Sequence, residues 1–168
     1  MSKLRIVLVV LLVTLTVGCD QATKLAARSS LAGQGTVFVV DNVLILRYVE
    51  NRGAFLSLGA GLPDAVRTAA LIALPVLICA AALIYLARAR APTWATIVGV
   101  SLIAGGGFGN LIDRVFRHGR VSDFINLGIG AFRTGIFNVA DLSVLCGCVV
   151  LLLWHPAGRA PSPGAPGD

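Results

Sequence analysis

The sequence predicts an α-helical integral membrane protein with four transmembrane helices and a small extramembrane β-sheet between helices 1 and 2. Three observations predict it. First, 57% of the 168 residues are apolar, only 13% are charged, and the mean hydropathy is +0.87. A soluble domain carries about 25% charged residues because its surface must be wetted. A soluble globule and a wholly disordered chain are therefore excluded. Second, four apolar stretches run Leu4–Cys19, Thr68–Ala87, Trp94–Ile112 and Ile136–Trp154. Third, residues 36–50 are rich in β-branched and aromatic side chains and are split by Asp41-Asn42, a strand–turn–strand pattern. At 17.4 kDa the chain has room for one domain, expected over 1–155.

The last three stretches each hold 19 or 20 residues, the length at which a helix crosses about 30 Å of hydrocarbon. The first reaches that length by continuing through Asp20-Gln21-Ala22-Thr23-Lys24-Leu25-Ala26-Ala27, where nothing breaks a helix before Ser29-Ser30. Crossings are expected at about 4–28, 66–87, 94–114 and 136–155. Pro75 falls inside the second, where neighbouring helices tolerate a kink. Gly99, Ser101, Gly105, Gly106, Gly107 and Gly109 give the third a surface that other helices can approach closely. Residues 115–135, basic and punctuated by glycine, read as a loop. Residues 156–168, rich in Pro, Gly, Ala and Ser, read as a disordered tail.

Four crossings put both termini on one side. Lys3 and Arg5 precede helix 1, and Arg88 and Arg90 fill the connection between helices 2 and 3, which makes that side cytoplasmic. Nine bases then lie outside against five inside, counting Arg159. This orientation is kept because the first helix usually dominates and because many of the outer bases are interleaved with acids. The net charge of +6 and pI near 9.8 point to a membrane surface rather than nucleic acid, since the bases flank hydrophobic stretches.

Ionisable groups are expensive in hydrocarbon, so their positions carry information. Asp20 and Lys24 stand four apart and can pair at a helix end. Asn110, Asp113 and Arg114 share one face and read as a cap for helix 3. Asn138 and Asp141 share a face at the start of helix 4, where a carboxylate must be protonated, paired or facing a wet cavity. Asp123 is expected in the preceding loop, on the same side. Two readings stay open for these carboxylates. One is ion pairing with Arg114. The other is a pair at the outer surface, one acid holding a proton while its partner acts as base on a water. The second is aspartic-protease chemistry.

Other chemistries find less support. His118 and His155 lack ligand spacing, and Cys146-x-Cys148 is wrongly spaced for a zinc or redox pair. The run Gly105–Gly109 lacks the Lys-Ser/Thr of a phosphate loop. No metal and no cofactor is expected. Lys3, Arg5 and Leu15-Thr16-Val17-Gly18-Cys19 look like a lipoprotein signal ending at Cys19. Thr16 stands where that signal favours Leu, however, and three further spans argue against it. The competing class is a small four-helix transporter or assembly factor. Its route would need polar residues along the helix centres, and they gather at helix ends instead.

Read together, the polar clusters resemble the lipoprotein signal peptidases, the type II signal peptidases of bacteria. The resemblance rests on Asp20-Gln21-x-Thr23-Lys24, Asn51-x-Gly53-Ala54-Phe55 with Ser57, and Gly105-Gly106-x-x-Gly109-Asn110-Leu111-Ile112-Asp113-Arg114. It continues through Val121-x-Asp123-Phe124 and Phe137-Asn138-Val139-Ala140-Asp141. It implies a membrane-embedded aspartic endopeptidase that removes the signal peptide from diacylglyceryl-modified prolipoproteins, cutting before the lipidated cysteine. Asp123 and Asp141 match the catalytic pair. Asn51, Gly53, Asn110, Asp113, Arg114 and Asn138 match positions that shape the site or contact substrate, and Asp20 and Lys24 match a supporting pair. The implied setting is the bacterial cytoplasmic membrane, with the site at the outer face. The implied partners are lipid-modified precursors and membrane lipids, without nucleic acid, and the chain is expected to act as a monomer. There are departures. Gly53-Ala54-Phe55-Leu56-Ser57 replaces the family's usual Gly-Ala-Ala-Phe-Ser, the segment from Asp113 to Asp123 is one residue longer, and Ser122 stands for a common Val.

Overall fold

The computed structural model describes residues 2–53 and 63–154. Ala54, Phe55, Ser57, His155 and the tail lie outside the described residues. In chain order the elements are α1 (Lys3–Leu31), β1 (Val37–Val40), β2 (Leu44–Asn51), α2 (Asp64–Arg88), α3 (Trp94–Phe116), β3 (Val121–Ile129), β4 (Phe132–Arg133) and α4 (Val139–Leu153). The first three helices are long and apolar enough to cross a membrane. The fourth is apolar but has 15 residues, about 22 Å of helix. It starts at Val139, not at 136, because Asn138 is its N-cap: the Asn138 side chain accepts from Asp141 N and the Asp141 side chain accepts from Asn138 N. That reciprocal pair satisfies two backbone donors the helix would otherwise leave free.

The centre of the bundle is α3, and its glycines explain why. Successive residues turn about 100° around a helix, so the run meets a different neighbour at each step. A Cβ on Gly105 would stand 2.7 Å from Thr16 of α1. One on Gly106 would overlap the Ala140 carbonyl of α4, and one on Gly107 would overlap the Cys79 thiol of α2. Further down, a Cβ on Gly147 would come within 2.6 Å of the Gly99 carbonyl. Backbone therefore meets backbone along α3 and α4, as membrane helices without bulky side chains allow. Leu86, Ile97 and Val100 form the buried apolar core, with Leu8, Val9 and Leu151 packed around it.

The sheet is larger than the sequence led us to expect. Strands run antiparallel in the order β1-β2-β3-β4, so half of it comes from the connection between α3 and α4. Residues 115–135 are thus not a loop, and Asp123 lies on a strand. Val121, Phe124 and Ile125 supply strand-forming side chains, and Gly119 (φ +81°) turns the chain back after α3, its amide donating to Arg114 O at 2.8 Å. A Cβ on Gly119 would also press on Thr68. Val121 to Phe124 are all buried, since β3 leans on α1 and α3 as well as on its sister strands. The 36–50 segment forms β1 and β2 around a turn in which Asn42 takes φ +59°.

Close packing at Gly106 sets the start of α4. Gly106→Val should lower the thermal unfolding temperature in detergent, a loss of about 1–3 kcal/mol from overpacking. Gly18→Ala, with nothing within 4 Å of the added Cβ, is the control and should leave that temperature unchanged or raise it.

Candidate active site

A buried charge cluster underlies the site. Asp20 and Lys24 are not at a helix end but inside α1, and both side chains are 0% exposed. Four residues make one helical turn, which brings Lys24 Nζ 2.8 Å from Asp20 Oδ2. The same ammonium lies 3.4 Å from Asp113 Oδ2 and donates to Asn110 Oδ1 at 2.9 Å. Gly109 leaves room for the Asp20 carboxylate, which a Cβ there would approach within 2.5 Å. Asp20 Oδ1 accepts from Ala140 N at 2.9 Å, in the first turn of α4. Asp113 is no helix cap: α3 runs on to Phe116, and Asp113 Oδ2 accepts from Ser122 N of β3 at 2.8 Å. Gln21 donates to Asp20, to Asp113 and to Gly109 O.

Above this floor stand the two other carboxylates. Asp123 Oδ1 accepts from Asn138 Nδ2 at 2.7 Å, and Asp123 Oδ2 accepts from Asn51 Nδ2 at 3.1 Å. Asp141 Oδ1 accepts from Asn110 Nδ2 at 2.8 Å, and Asp141 Oδ2 accepts from Asn138 N at 3.2 Å. Asn138 therefore holds both acids, one by its amide and one by its backbone. Its second amide hydrogen goes to Asn110 Oδ1 at 3.1 Å.

The orientation of each asparagine is fixed by a partner that can only donate. Asn51 Oδ1 accepts from Gly53 N at 2.9 Å, which turns its Nδ2 toward Asp123. Asn138 Oδ1 accepts from Asp141 N, and Asn110 Oδ1 accepts from the Lys24 ammonium. An inverted amide would set donor against donor at every one of these contacts. Asn51 belongs to the last position of β2, opposite Val121 and diagonal to Asp123, within reach across the strands.

Burial is the main cause that raises the Asp123 carboxyl to about 6, with the Asp141 charge adding to it; hydrogen bonds from Asn51 and Asn138 and the Lys24 charge pull the other way. Its residue is 4% exposed. Arg114 does not pair with either acid: among the described residues no ion pair joins them, and its buried Nε has no hydrogen-bond partner. A groove of about 640 Å³ between α1, α2 and α3 is lined by Val13, Val17, Val76, Phe108 and Ile112. Phe108 and Ile112 sit on the far side of α3 from Asn110 by helical rotation, so this groove is separate from the carboxylates.

Every candidate residue named from the sequence thus falls in one assembly, with Gly53 acting through Asn51 and Arg114 beside it. Three further contributors were not among the candidates: Ser122, Tyr48 and Arg117. Arg117 carries a signal, its i+4 spacing from Asp113, with Nε 3.4 Å from Asp113 Oδ1. Tyr48 and Ser122 carry none, because their meeting depends on strand register.

Apolar helices around a buried polar site, with a sheet over one end, define a multi-pass membrane protein. A family model for signal peptidase (SPase) II matches residues 12–156. The lipoprotein signal peptidase of Treponema denticola is 39% identical over 144 residues, covering 81% of each chain. That of Geobacillus thermodenitrificans is 33% identical over 154 residues, covering 91% of this chain and 92% of its own. A bacterial membrane enzyme solved by the in meso method at 2.3 Å resolution matches with a TM-score of 0.75 at 25% identity, over 94% of both chains. The chain belongs to the signal peptidase II family.

Removing the cation from the floor should be costly. Lys24→Met leaves Asp20 and Asp113 buried without their shared countercharge, and should destabilise by about 3–5 kcal/mol. Thermal unfolding in detergent measures this, and Lys24→Met combined with Asp20→Leu should cost less than Lys24→Met alone.

Proposed function

We propose that this protein is a membrane-embedded aspartic endopeptidase that removes the signal peptide from diacylglyceryl-modified prolipoproteins, cutting before the lipidated cysteine. Asp123 and Asp141 are the catalytic pair. The observation that carries the assignment is Asn138, which bonds to both carboxylates at once. Asn138 thereby fixes the two carboxylates relative to one another, as two acids acting on one water and one carbonyl require. Asp123, which burial favours in its protonated form, donates a hydrogen bond to the scissile carbonyl. Asp141 takes a proton from the water that attacks the carbonyl carbon. The tetrahedral intermediate then collapses, and the leaving amine takes the proton that Asp141 gathered. Arg114, with an unused buried donor beside the pair, binds a backbone or ester carbonyl of the substrate.

In this reading the chain crosses the bacterial cytoplasmic membrane four times, with both termini inside. Arg5 lies over the Trp94 ring at 5.4 Å, so the first turns of α1 and α3 share one interface. Trp154 at the end of α4 faces the same interface, where tryptophan is favoured. The outer bases are drawn into the fold: Lys24 is buried, and Arg67, Arg117 and Arg120 pair with Asp64, Asp113 and Glu50. From the inner interface, an α4 of about 22 Å ends some 8 Å short of the outer edge of a 30 Å core. That depth suits a substrate cleaved next to a residue anchored by acyl chains.

Purified protein incubated with a diacylated precursor tests the assignment. Asp123→Asn and Asp141→Asn should each abolish cleavage, by about a thousandfold or more, while still inserting and folding. Full activity in either variant sinks the pair.

A stability measurement reads the proton on Asp123. Its folded value near 6 lies above the 3.8 of an ordinary Asp, so between those values the folded chain holds more protons than the unfolded one. Stability should be full below about pH 4 and fall as pH rises to about 6, then level off, a loss of about 3 kcal/mol. Asp123→Asn should remove that slope, so the variant gains on the wild type between about pH 4.5 and pH 7.5. Parallel melting curves at the two values would disprove it.

A further inference from the structure

A closed ring of polar groups lies behind Asp123, joining the charge cluster at Asp113 to Tyr48 and Glu50. Tyr48 Oη is 3.3 Å from Ser122 Oγ, accepts from Arg117 Nη1 at 3.4 Å and donates to Glu50 Oε1 at 3.3 Å. Arg117 reaches Asp113, and Asp113 accepts from Ser122 N, which closes the ring. The hydroxyl inventory balances: Tyr48 oxygen accepts from Arg117 and from Ser122 O–H, and its own proton serves Glu50. Ser122 is fully buried and is the residue immediately before Asp123.

A β-bulge makes this ring. Leu46 pairs with Ile125 and Val49 with Asp123, so Arg47 and Tyr48 together stand against Phe124 alone. An extra residue bends the strand and re-aims its side chains. Beyond the bulge, Tyr48 and Glu50 alternate with Val49 and Asn51. The first pair serves the ring, with Glu50 opposite Ser122, and the second stands on the face of Asp123. The bulge therefore lets one strand offer Asn51 to the carboxylate and Tyr48 to the residue behind it.

We propose that Tyr48 is a positioning residue for Asp123, acting through Ser122, which it clamps from the reverse face of the sheet while Asp113 holds the same residue by its amide. This rests on Asp123 being catalytic. The clamp fixes the strand on which the carboxylate rides, and touches no substrate.

Cleavage of a diacylated precursor peptide by the purified full chain, with kcat and KM determined separately, tests it. Tyr48→Phe removes only the hydroxyl and should lower kcat about three- to tenfold, the effect of one hydrogen bond, with KM unchanged. Ser122→Val and Ser122→Thr have the same shape and differ in the hydroxyl. Val should reproduce the Tyr48→Phe loss, Thr should retain most of the activity, and Tyr48→Phe with Ser122→Val should be no worse than either alone. A kcat unchanged in Tyr48→Phe overturns the clamp, as do equal losses in the Val and Thr variants, since packing alone would then be the cause. Asp123→Asn run alongside separates the two ideas. If it is inactive while Tyr48→Phe is unaffected, the clamp alone fails; if it is active, the catalytic assignment fails and takes the clamp with it.

Discussion

The site is organised around one buried ammonium. Lys24 has no water to turn to, so it must be met by the acceptors around it, and it draws in Asp20, Asp113 and Asn110 from two helices. Each of those acceptors then has a second obligation that places part of the candidate site. Asp20 takes the Ala140 amide and fixes the start of α4, Asp113 takes the Ser122 amide and fixes β3, and Asn110 turns its Nδ2 toward Asp141. With Arg117 on Asp113, two carboxylates meet two cations, and the group as a whole costs less to bury than any member alone.

Room for that cluster comes from residues with no side chain to offer. Gly109 leaves space for the Asp20 carboxylate, and Gly106 lets the first turn of α4 lie on α3. The glycine-rich run is therefore as much a part of the site as the acids are. Its spacing distributes three neighbours around one helix, and the two carboxylates end up near one end of α3 rather than along it. A permeation path would need polar groups through the helix centres, and between Ile6 and Cys19 the sequence has only Thr14, Thr16 and Gly18 to interrupt the apolar run.

Much of this was legible in the sequence, and the part that was not has a physical reason. Spans announce themselves because hydrocarbon tolerates so few charges, and the exceptions Asp20, Lys24, Asn110 and Asp141 stood out for the same reason. Strands β1 and β2 were visible in their β-branched runs. Strand β3 was hidden because Arg117, His118, Gly119 and Arg120 mark its approach as a loop, and only its pairing with β2 makes 121–129 extended. The ion pair expected between Arg114 and the acids was a fair inference from charge, but the asparagines already occupy those oxygens. Tyr48 could not be found at all, since a bulge changes which residues share a face and nothing local in the chain declares it.

Asparagines, not cations, bond the two acids, and that choice suits the proposed chemistry. A guanidinium bonded to such a carboxyl would favour its ionised form strongly. An amide donor orients the same oxygen at a much smaller electrostatic cost. Asn51, Asn110 and Asn138 supply three neutral clamps, each oriented from behind by Gly53 N, Lys24 or Asp141 N. The positive charge is held one layer back, where Lys24 reaches Asp123 only through Asn110 and Asn138. Burial can then act on Asp123 without being cancelled, and its carboxyl rises to about 6 despite two hydrogen bonds and a nearby ammonium. An arginine in place of Asn51 or Asn138 would favour the ionised form of Asp123, so on the proposed reading these two amides give up binding strength at the acid and leave it the proton that the reaction uses.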